Sequence, residues 1–168
     1  MTIAIASFIA VAVTSMLVLD LRLRVAATQL RDVETDADNA IHALDGVLRA
    51  GATIQSTGTV GGRDTVTFDI PTVTAAGVVL GTRDRITITP NGTQPERVEL
   101  QVTPAVGSRL PSGTRTIARH ATAFHLQYHH PTPANARALT ITMTSAITAG
   151  GYATSATRAT VVALRNIP

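Results

Sequence analysis

The chain has 168 residues and a mass of 17.5 kDa, which suffices for one domain of ordinary size and leaves no room for two. Apolar residues make up 45% of it and aromatic residues only 3%, with no Trp, so the core must be aliphatic and a base-stacking surface is not expected. The absence of Cys excludes disulfides, Cys-ligated metals and thiol nucleophiles, and a net charge of +3 is small for a nucleic-acid-binding protein.

Residues 1–19 contain no charged residue, no Pro and no Gly. As a helix they would extend about 28 Å, close to the thickness of the hydrocarbon core of a bilayer. The run predicts a segment that is buried in lipid or among other helices, and a cleaved secretory signal is the competing interpretation. No Lys or Arg precedes the run, which favours a segment that is retained in the mature protein.

A second helical pattern continues from the first. Between residues 20 and 51 apolar residues recur at the spacing of one helix face, and the positions between them are polar and predominantly acidic. The pattern predicts an amphipathic half of the same helix, which packs one face on a globular domain and ends with Gly51 as its C-cap. The residues predicted to make this packing are Leu23, Leu30, Val33, Ile41, Leu44 and Leu48.

After Gly51 the periodicity changes from 3.6 to 2, and strands are predicted at 65–70, 85–89, 97–102, 123–128, 138–143 and 160–164. Pro90, Asn91 and Gly92 predict a turn between the second and third of these strands. Because the strands alternate apolar residues with Thr, Arg, Glu or Gln, one sheet face should be buried under the helix. The sequence thus predicts an α+β fold, with a long N-terminal helix over residues 1–51 packed on an antiparallel β-sheet domain over residues 52–168.

This order of elements resembles that of the type IV pilins and of the pseudopilins of type II secretion, over the whole length of the chain. Residues 43–51 are similar to the helix end of the J-type pseudopilins and W-type minor pilins, and residues 115–128 are similar to the strand before the final hairpin of those proteins. Leu164, Arg165 and Asn166 form a terminus common among such subunits. The resemblance implies a pilin-like fold.

The resemblance also implies a structural function, as a subunit of a type IV pilus-like filament or a type II secretion pseudopilus. Its partners would be copies of itself, other pilins, an inner-membrane assembly platform and a prepilin peptidase that cuts before Met1, which becomes N-methylated. The chain would reside in the inner membrane before assembly and then in a cell-surface filament or a periplasmic pseudopilus. Residues predicted to form the membrane segment and filament core are Ile3, Ile5, Phe8, Ile9, Val11, Val13, Leu17 and Leu19.

Two positions depart from the family pattern. The basic leader that ends in Gly is not in the sequence, as expected for a processed chain that begins at Met1, whereas an initiator Met without a leader would favour a simple anchor. Ile5 stands where most pilins have Glu, and tip-located subunits of the family share this feature, so a minor pilin or pseudopilin is favoured over a major pilin. The alternative function is that of a single-span, membrane-anchored extracytoplasmic binding domain that does not polymerise.

No motif indicates catalysis or a cofactor, and the chain is not expected to be an enzyme. The acidic residues of the β-domain are scattered singly. On one strand His125 and His129 would lie about 13 Å apart, too far to share an ion, while His130 would point to the opposite face. No metal site is therefore predicted from these histidines or from His120.

The β-domain carries an excess of Arg over acidic residues, and two interpretations are open. In the favoured one, these arginines belong to a mixed surface and pair with the acidic helix face of a neighbouring subunit; in the other, they capture DNA through its phosphates. Asn91, Gly92 and Thr93 also form a glycosylation sequon, although turn chemistry at Asn91 is the favoured reading. The arginines that could form a patch are Arg83, Arg85, Arg109, Arg115, Arg119 and Arg137.

Overall fold

The computed structural model describes residues 2–49, 53–94, 96–149 and 152–164, and the side chains of residues 2–7, 149 and 152 lie outside the description. One long helix precedes eight strands, with a short 3₁₀ helix at Pro133–Asn135 between the sixth and seventh. The bounds are α1 Thr2–Leu48, β1 Thr53–Val60, β2 Arg63–Val73, β3 Val79–Pro90, β4 Val98–Thr103, β5 Gly113–Ala118, β6 Ala121–Tyr128, β7 Ala138–Ala149 and β8 Tyr152–Ala163.

The helix α1 is continuous because no Pro interrupts it and Gly is absent from it before Gly46. It ends at Leu48, after which the N–H of Arg49 still donates to the carbonyl of Asp45 at 3.0 Å. The guanidinium Nε of Arg49 also meets the Asp45 carboxylate at 2.7 Å, an i, i+4 pair over the last turn. The predicted C-cap, Gly51, lies outside the described residues.

The first five strands form one antiparallel sheet in which each strand pairs with the next in sequence. Between β1 and β2 the chain reverses through Gly61 and Gly62, with φ of +56° and +75°, while Val60 and Arg63 pair across the turn. Two successive positive φ angles are the signature of a two-residue type I′ hairpin, which favours glycine at both positions.

The last three strands form a second antiparallel sheet, in the order β6, β7, β8. Its longest pairing joins β7 to β8 without a register shift, from Ala138 opposite Ala163 to Ala149 opposite Tyr152. Side chains of β7 alternate between the core, as at Ile141 and Met143, and a Thr-rich outer face. The helix packs mainly on β7 and β8, and also contacts β5.

Helix and sheets share one aliphatic core. Phe68 on β2 and Phe124 on β6 are its largest fully buried side chains, and Leu44 and Leu48 of the helix belong to the same cluster. This arrangement confirms the prediction of an α+β fold with one long N-terminal helix packed on antiparallel sheets. Each of the six predicted stretches lies within a strand or extends one residue beyond it, but β3, β7 and β8 are each at least six residues longer than predicted.

Strands β1 and β5 were not predicted, because both are edge strands of the first sheet with few inward side chains. In β1 only Ile54 is buried, and in β5 only Ile117 and Ala118 are. With most side chains exposed, neither strand shows the alternation on which the prediction depends. The glycine-rich residues 58–62 form the end of β1 and its hairpin turn.

The turn predicted at Pro90, Asn91 and Gly92 proves to be a longer loop. Pro90 still pairs with Val98, so the connection runs from Asn91 to Arg97 rather than through two residues, and no non-glycine residue described has a positive φ. The Asn91 side-chain oxygen accepts from the N–H groups of Thr93 and Gln94, both at 2.9 Å. Asn91 therefore organises the loop as an Asx-type cap, not through a left-handed backbone.

Candidate assembly surface on the exposed half of the helix

The globular domain covers only the C-terminal part of the helix. The buried face begins at Gln29 and Val33, and between residues 8 and 28 no described side chain is buried. Those residues extend roughly 30 Å at 1.5 Å per residue, so the helix projects well beyond the sheets. We call residues 8–28 the free helix segment.

Large apolar side chains cover residues 8–19 of the free helix segment on all sides, and further ones alternate with charged residues up to Val25. Phe8 is 76% exposed and Met16 is 73% exposed, and the other large apolar residues there are more than two-fifths exposed. A contiguous apolar surface of this extent on a protein indicates an interaction site. Its large exposed residues are Phe8, Ile9, Val11, Val13, Met16, Leu17, Val18, Leu19, Leu21, Leu23 and Val25.

The polar side chains within the first part of the free helix segment are already satisfied by the helix itself. The hydroxyls of Thr14 and Ser15 each donate to the carbonyl four residues earlier, at 2.8 Å. The first charged residue after the apolar run, Asp20, pairs with Arg24 at 2.8 Å. Residues 8–19 could therefore be buried against other apolar surface without leaving a side-chain donor unpaired.

We call residues 29–48, where the helix packs on the β-domain, the docked half of the helix. The docked half follows the predicted packing in part. Val33, Leu44 and Leu48 are buried and Ile41 is partly buried against the core. Leu23 and Leu30 were predicted to pack on the sheets, but they are 61% and 43% exposed. Leu23 precedes the point at which the domain begins to cover the helix, and Leu30 lies beside the buried face that contains Gln29 and Val33, about 100° around the helix from Gln29.

Acidic residues, which the sequence placed on the far face of the helix, make the polar contacts with the β-domain. Asp36 accepts the N–H groups of Arg119 and His120 at 2.9–3.0 Å and the Ser145 hydroxyl at 3.1 Å. These partners lie in the link between β5 and β6 and on β7. No local pattern in the sequence identifies such contacts.

A second acidic contact involves Arg158 on β8. Its guanidinium meets the carboxylates of Glu34 at 3.1 Å and Asp38 at 3.0 Å, and the hydrogen bond with Glu34 is the larger cause that raises the pKa of Arg158. The acidic face predicted to pair with arginines of a neighbouring subunit is thus engaged within the same chain at these two residues. The helix is held on both flanks of its buried face.

Four of the six arginines considered as a patch are divided between the two faces of the five-stranded sheet. Arg83 and Arg85 lie on the outer face of the five-stranded sheet, where Arg85 pairs with Asp69 at 3.1 Å. The hydrogen bond with Asp69 raises the pKa of Arg85. Arg109 and Arg115, in contrast, line a groove on the inner side of that sheet.

The histidines make separate local contacts. His125 Nδ1 lies 3.8 Å from Asp64, and His129 Nε2 lies 2.7 Å from the Thr140 hydroxyl. Among the described residues there is no group of three His, Cys, Asp or Glu side chains that could hold a metal ion. For the sequon, the Asn91 Nδ2 that a sugar would modify donates to Glu99 at 2.6 Å.

The predicted inner-membrane anchor is corrected by the structure. In the part of the chain that is described, no helix has a segment both long and apolar enough to cross a membrane. The predicted location, inner membrane and then cell-surface filament or periplasmic pseudopilus, is not retained, and neither is the alternative of a membrane-anchored binding domain.

In comparisons with known proteins, no family model matches the chain and no curated protein is significantly similar to it. Of the residues predicted for the filament core, Phe8, Ile9, Val11, Val13, Leu17 and Leu19 lie together on the free helix segment. The side chains of Ile3 and Ile5, and the predicted processing site Met1, lie outside the described residues.

Proposed function

We propose that this chain is a pilin-like structural subunit that assembles into a filament by packing its free helix segment against the same segment of other copies. The observation that carries the proposal is that residues 8–19 expose apolar side chains on every side, within a helix segment that the β-domain leaves uncovered as far as residue 28. A helix that is apolar on every side is stable in water only when other apolar surface covers it.

The energetics favour association through this segment. Full burial of one Val, Leu, Ile, Phe or Met side chain contributes about 1.5–3 kcal/mol, whereas bringing two proteins together costs an estimated 4–15 kcal/mol. Burial of a few of the exposed apolar side chains offsets the cost of association, and many more such side chains are present. Ala10, Ala12 and Ser15 are small enough to allow neighbouring helices to approach closely.

The shape of the subunit favours an open assembly rather than a closed dimer. Residues 8–19 of the free helix segment are apolar on every side, so one partner helix cannot cover them, and copies related by repeated rotation and translation can continue to add. The β-domain would then lie on the outside of the helical bundle, with its Thr-rich strands in solvent. Ile5, in place of the family's Glu, favours a minor pilin or pseudopilin within this proposal.

The experiment compares the full chain with Leu17→Glu by sedimentation and negative-stain electron microscopy. Leu17 is 60% exposed in the free helix segment, so a charge there should abolish filaments without changing the thermal unfolding of the β-domain. The matched control is Thr35→Glu, an exposed position on the docked half of the same helix, which should assemble normally. Wild-type protein that stays monomeric at high concentration, or Leu17→Glu that assembles as wild type does, would overturn the proposal.

Processing is a separate part of the proposal and rests on the family resemblance alone. A prepilin peptidase would leave Met1 as an N-methylated terminus, which intact-mass and N-terminal analysis of native material would detect. An unmodified terminus on assembled filaments would contradict the processing step while leaving self-assembly intact.

A further inference from the structure

A groove of about 600 Å³ lies between the C-terminal end of the helix and the inner face of the five-stranded sheet. The helix contributes Gly46 and Val47, and the loop between β4 and β5 forms the opposite wall. Both the volume and the mainly apolar lining fall within the range of small-molecule binding sites. The floor of the groove is formed by inward side chains of three strands, Ile70, Ile86, Leu100 and Val102.

Gly46 is an exposed residue at the helix edge of the groove. A Cβ atom built there meets nothing within 4 Å, whereas Leu44 and Leu48, on the opposite side of the helix, are fully buried. The helix therefore leaves this edge of the groove without a side chain, although Gly in the interior of a helix costs roughly 1 kcal/mol relative to Ala.

Two cations line the groove without an anionic partner. The guanidinium groups of Arg109 and Arg115 make no hydrogen bond or ion pair with any other described residue. The carboxylate in the lining, Asp84, is fully buried and already accepts from Thr72, the N–H of Ala105 and Ser108. Asp84 forms no ion pair with Arg109 or Arg115 among the described residues.

The wall that carries Arg109 is held in place before any ligand arrives. The N–H of Arg109 donates to the carbonyl of Val73 at 2.8 Å, and the N–H of Leu110 donates to the Ser108 hydroxyl at 3.0 Å. Ser108 in turn donates to Asp84 at 2.8 Å. A wall fixed in this way loses little conformational freedom on binding.

We propose that this groove binds a small amphiphilic anion, a fatty acid with its alkyl chain on the apolar floor and its carboxylate at Arg109 and Arg115. The aliphatic floor suits an alkyl chain, and guanidinium groups bind carboxylates through short, charge-assisted hydrogen bonds. This function goes beyond filament assembly and uses no residue of the free helix segment.

The test is isothermal titration calorimetry of the full chain with dodecanoate below its micellar concentration. We expect saturable binding to one site, with no comparable binding of dodecyltrimethylammonium, which has the same tail and the opposite charge. Substitution of both arginines, Arg109→Gln with Arg115→Gln, should weaken dodecanoate binding by about tenfold or more. Arg83→Gln, on the outer face of the same sheet, is the matched control and should bind as wild type does.

A second variant tests the groove itself. Gly46→Leu adds a large side chain at the helix edge of the groove and should weaken dodecanoate binding while the protein stays folded, as checked by circular dichroism. Equal binding of the cationic amphiphile, or dodecanoate binding that survives both Gly46→Leu and the double Arg substitution, would overturn the proposal.

The free helix segment is the competing apolar surface, and Leu17→Glu separates the two. Dodecanoate binding that is retained in Leu17→Glu supports the groove, whereas binding lost in Leu17→Glu and retained in Gly46→Leu assigns the ligand to the helix and overturns the inference. Neither result depends on whether filaments form, so this proposal and the assembly proposal can fail separately.

Discussion

The carboxylate of Asp36 on the helix holds the backbone of Arg119, 83 residues further along the chain, with the N–H of Arg119 at 2.9 and 3.0 Å from its two oxygens. The N–H of His120 and the hydroxyl of Ser145 donate to the same carboxylate. Arg119 and His120 form the link at which the chain passes from β5 in the first sheet to β6 in the second. One helix side chain therefore fixes the junction of the two sheets.

Asp36→Ala should lower the free energy of unfolding by about 2 kcal/mol or more, because two backbone donors and a hydroxyl lose their acceptor. Asp36→Asn should cost less, since its amide oxygen can still accept. Urea unfolding measures both. Asp32→Ala, an exposed acidic position on the same helix, is the control and should change stability by no more than about 0.5 kcal/mol. Equal losses at Asp32 and Asp36 would contradict the role of the Asp36 contacts.

The Asp36 contacts also mark the limit of what the sequence predicts. Helix and strand periodicities depend on local spacing, and they correctly predicted the helix and six strands. They also identified Val33, Leu44 and Leu48 as buried residues. A contact between a carboxylate and backbone groups 83 residues away produces no periodic pattern in the sequence. Asp36 could therefore be assigned only to the polar face of the helix.

For the candidate assembly surface, too, the sequence predicted the local features and not the tertiary ones. The apolar run over residues 1–19 was predicted from composition, and its described side chains, from Phe8 to Leu19, lie within the part of the helix that the domain leaves exposed. Where coverage of the helix begins depends on the length and placement of the sheets, which is a tertiary property. For this reason Leu23 and Leu30 were wrongly assigned to the packed face, and the groove beside Gly46 was not foreseen.

Gly46→Ala should raise the free energy of unfolding by roughly 0.5–1 kcal/mol. Ala is the better helix former, and a Cβ at this position meets no atom within 4 Å. Gly61→Ala is the opposing control, because Gly61 has a φ of +56° and a side chain there is strained, so we expect a loss of about 1 kcal/mol. Thermal unfolding of the two variants checks both signs, and a loss of stability in Gly46→Ala would show that the groove wall does not accept a methyl group.

Asp84→Ala should destabilise the loop between β4 and β5 more than the rest of the domain. Asp84 is fully buried and accepts from Thr72, the N–H of Ala105 and Ser108, so its removal leaves three donors unpaired, at a cost of about 1–3 kcal/mol each when they stay buried. Hydrogen exchange should accelerate first at the amide of Ala105. The exposed Glu96→Ala is the control, and an Ala105 amide that exchanges as slowly as in wild type would exclude the predicted role of Asp84.

Tyr128 should make the protein lose stability at alkaline pH. Burial, with a smaller effect of the Asp64 charge, raises the pKa of Tyr128 from 10.0 to about 12, so the folded state holds its proton where the unfolded state has released it. The stability associated with the protonated phenol is complete below pH 10 and is lost as the pH rises towards 12.

The Tyr128 hydroxyl is buried without a hydrogen-bond partner among the described residues, so Tyr128→Phe should cost little stability at neutral pH and should reduce the loss of stability at alkaline pH. Tyr152→Phe leaves Tyr128 as the sole tyrosine, and an absorbance titration of that variant with a midpoint near the ordinary value of 10.0 would contradict the shift.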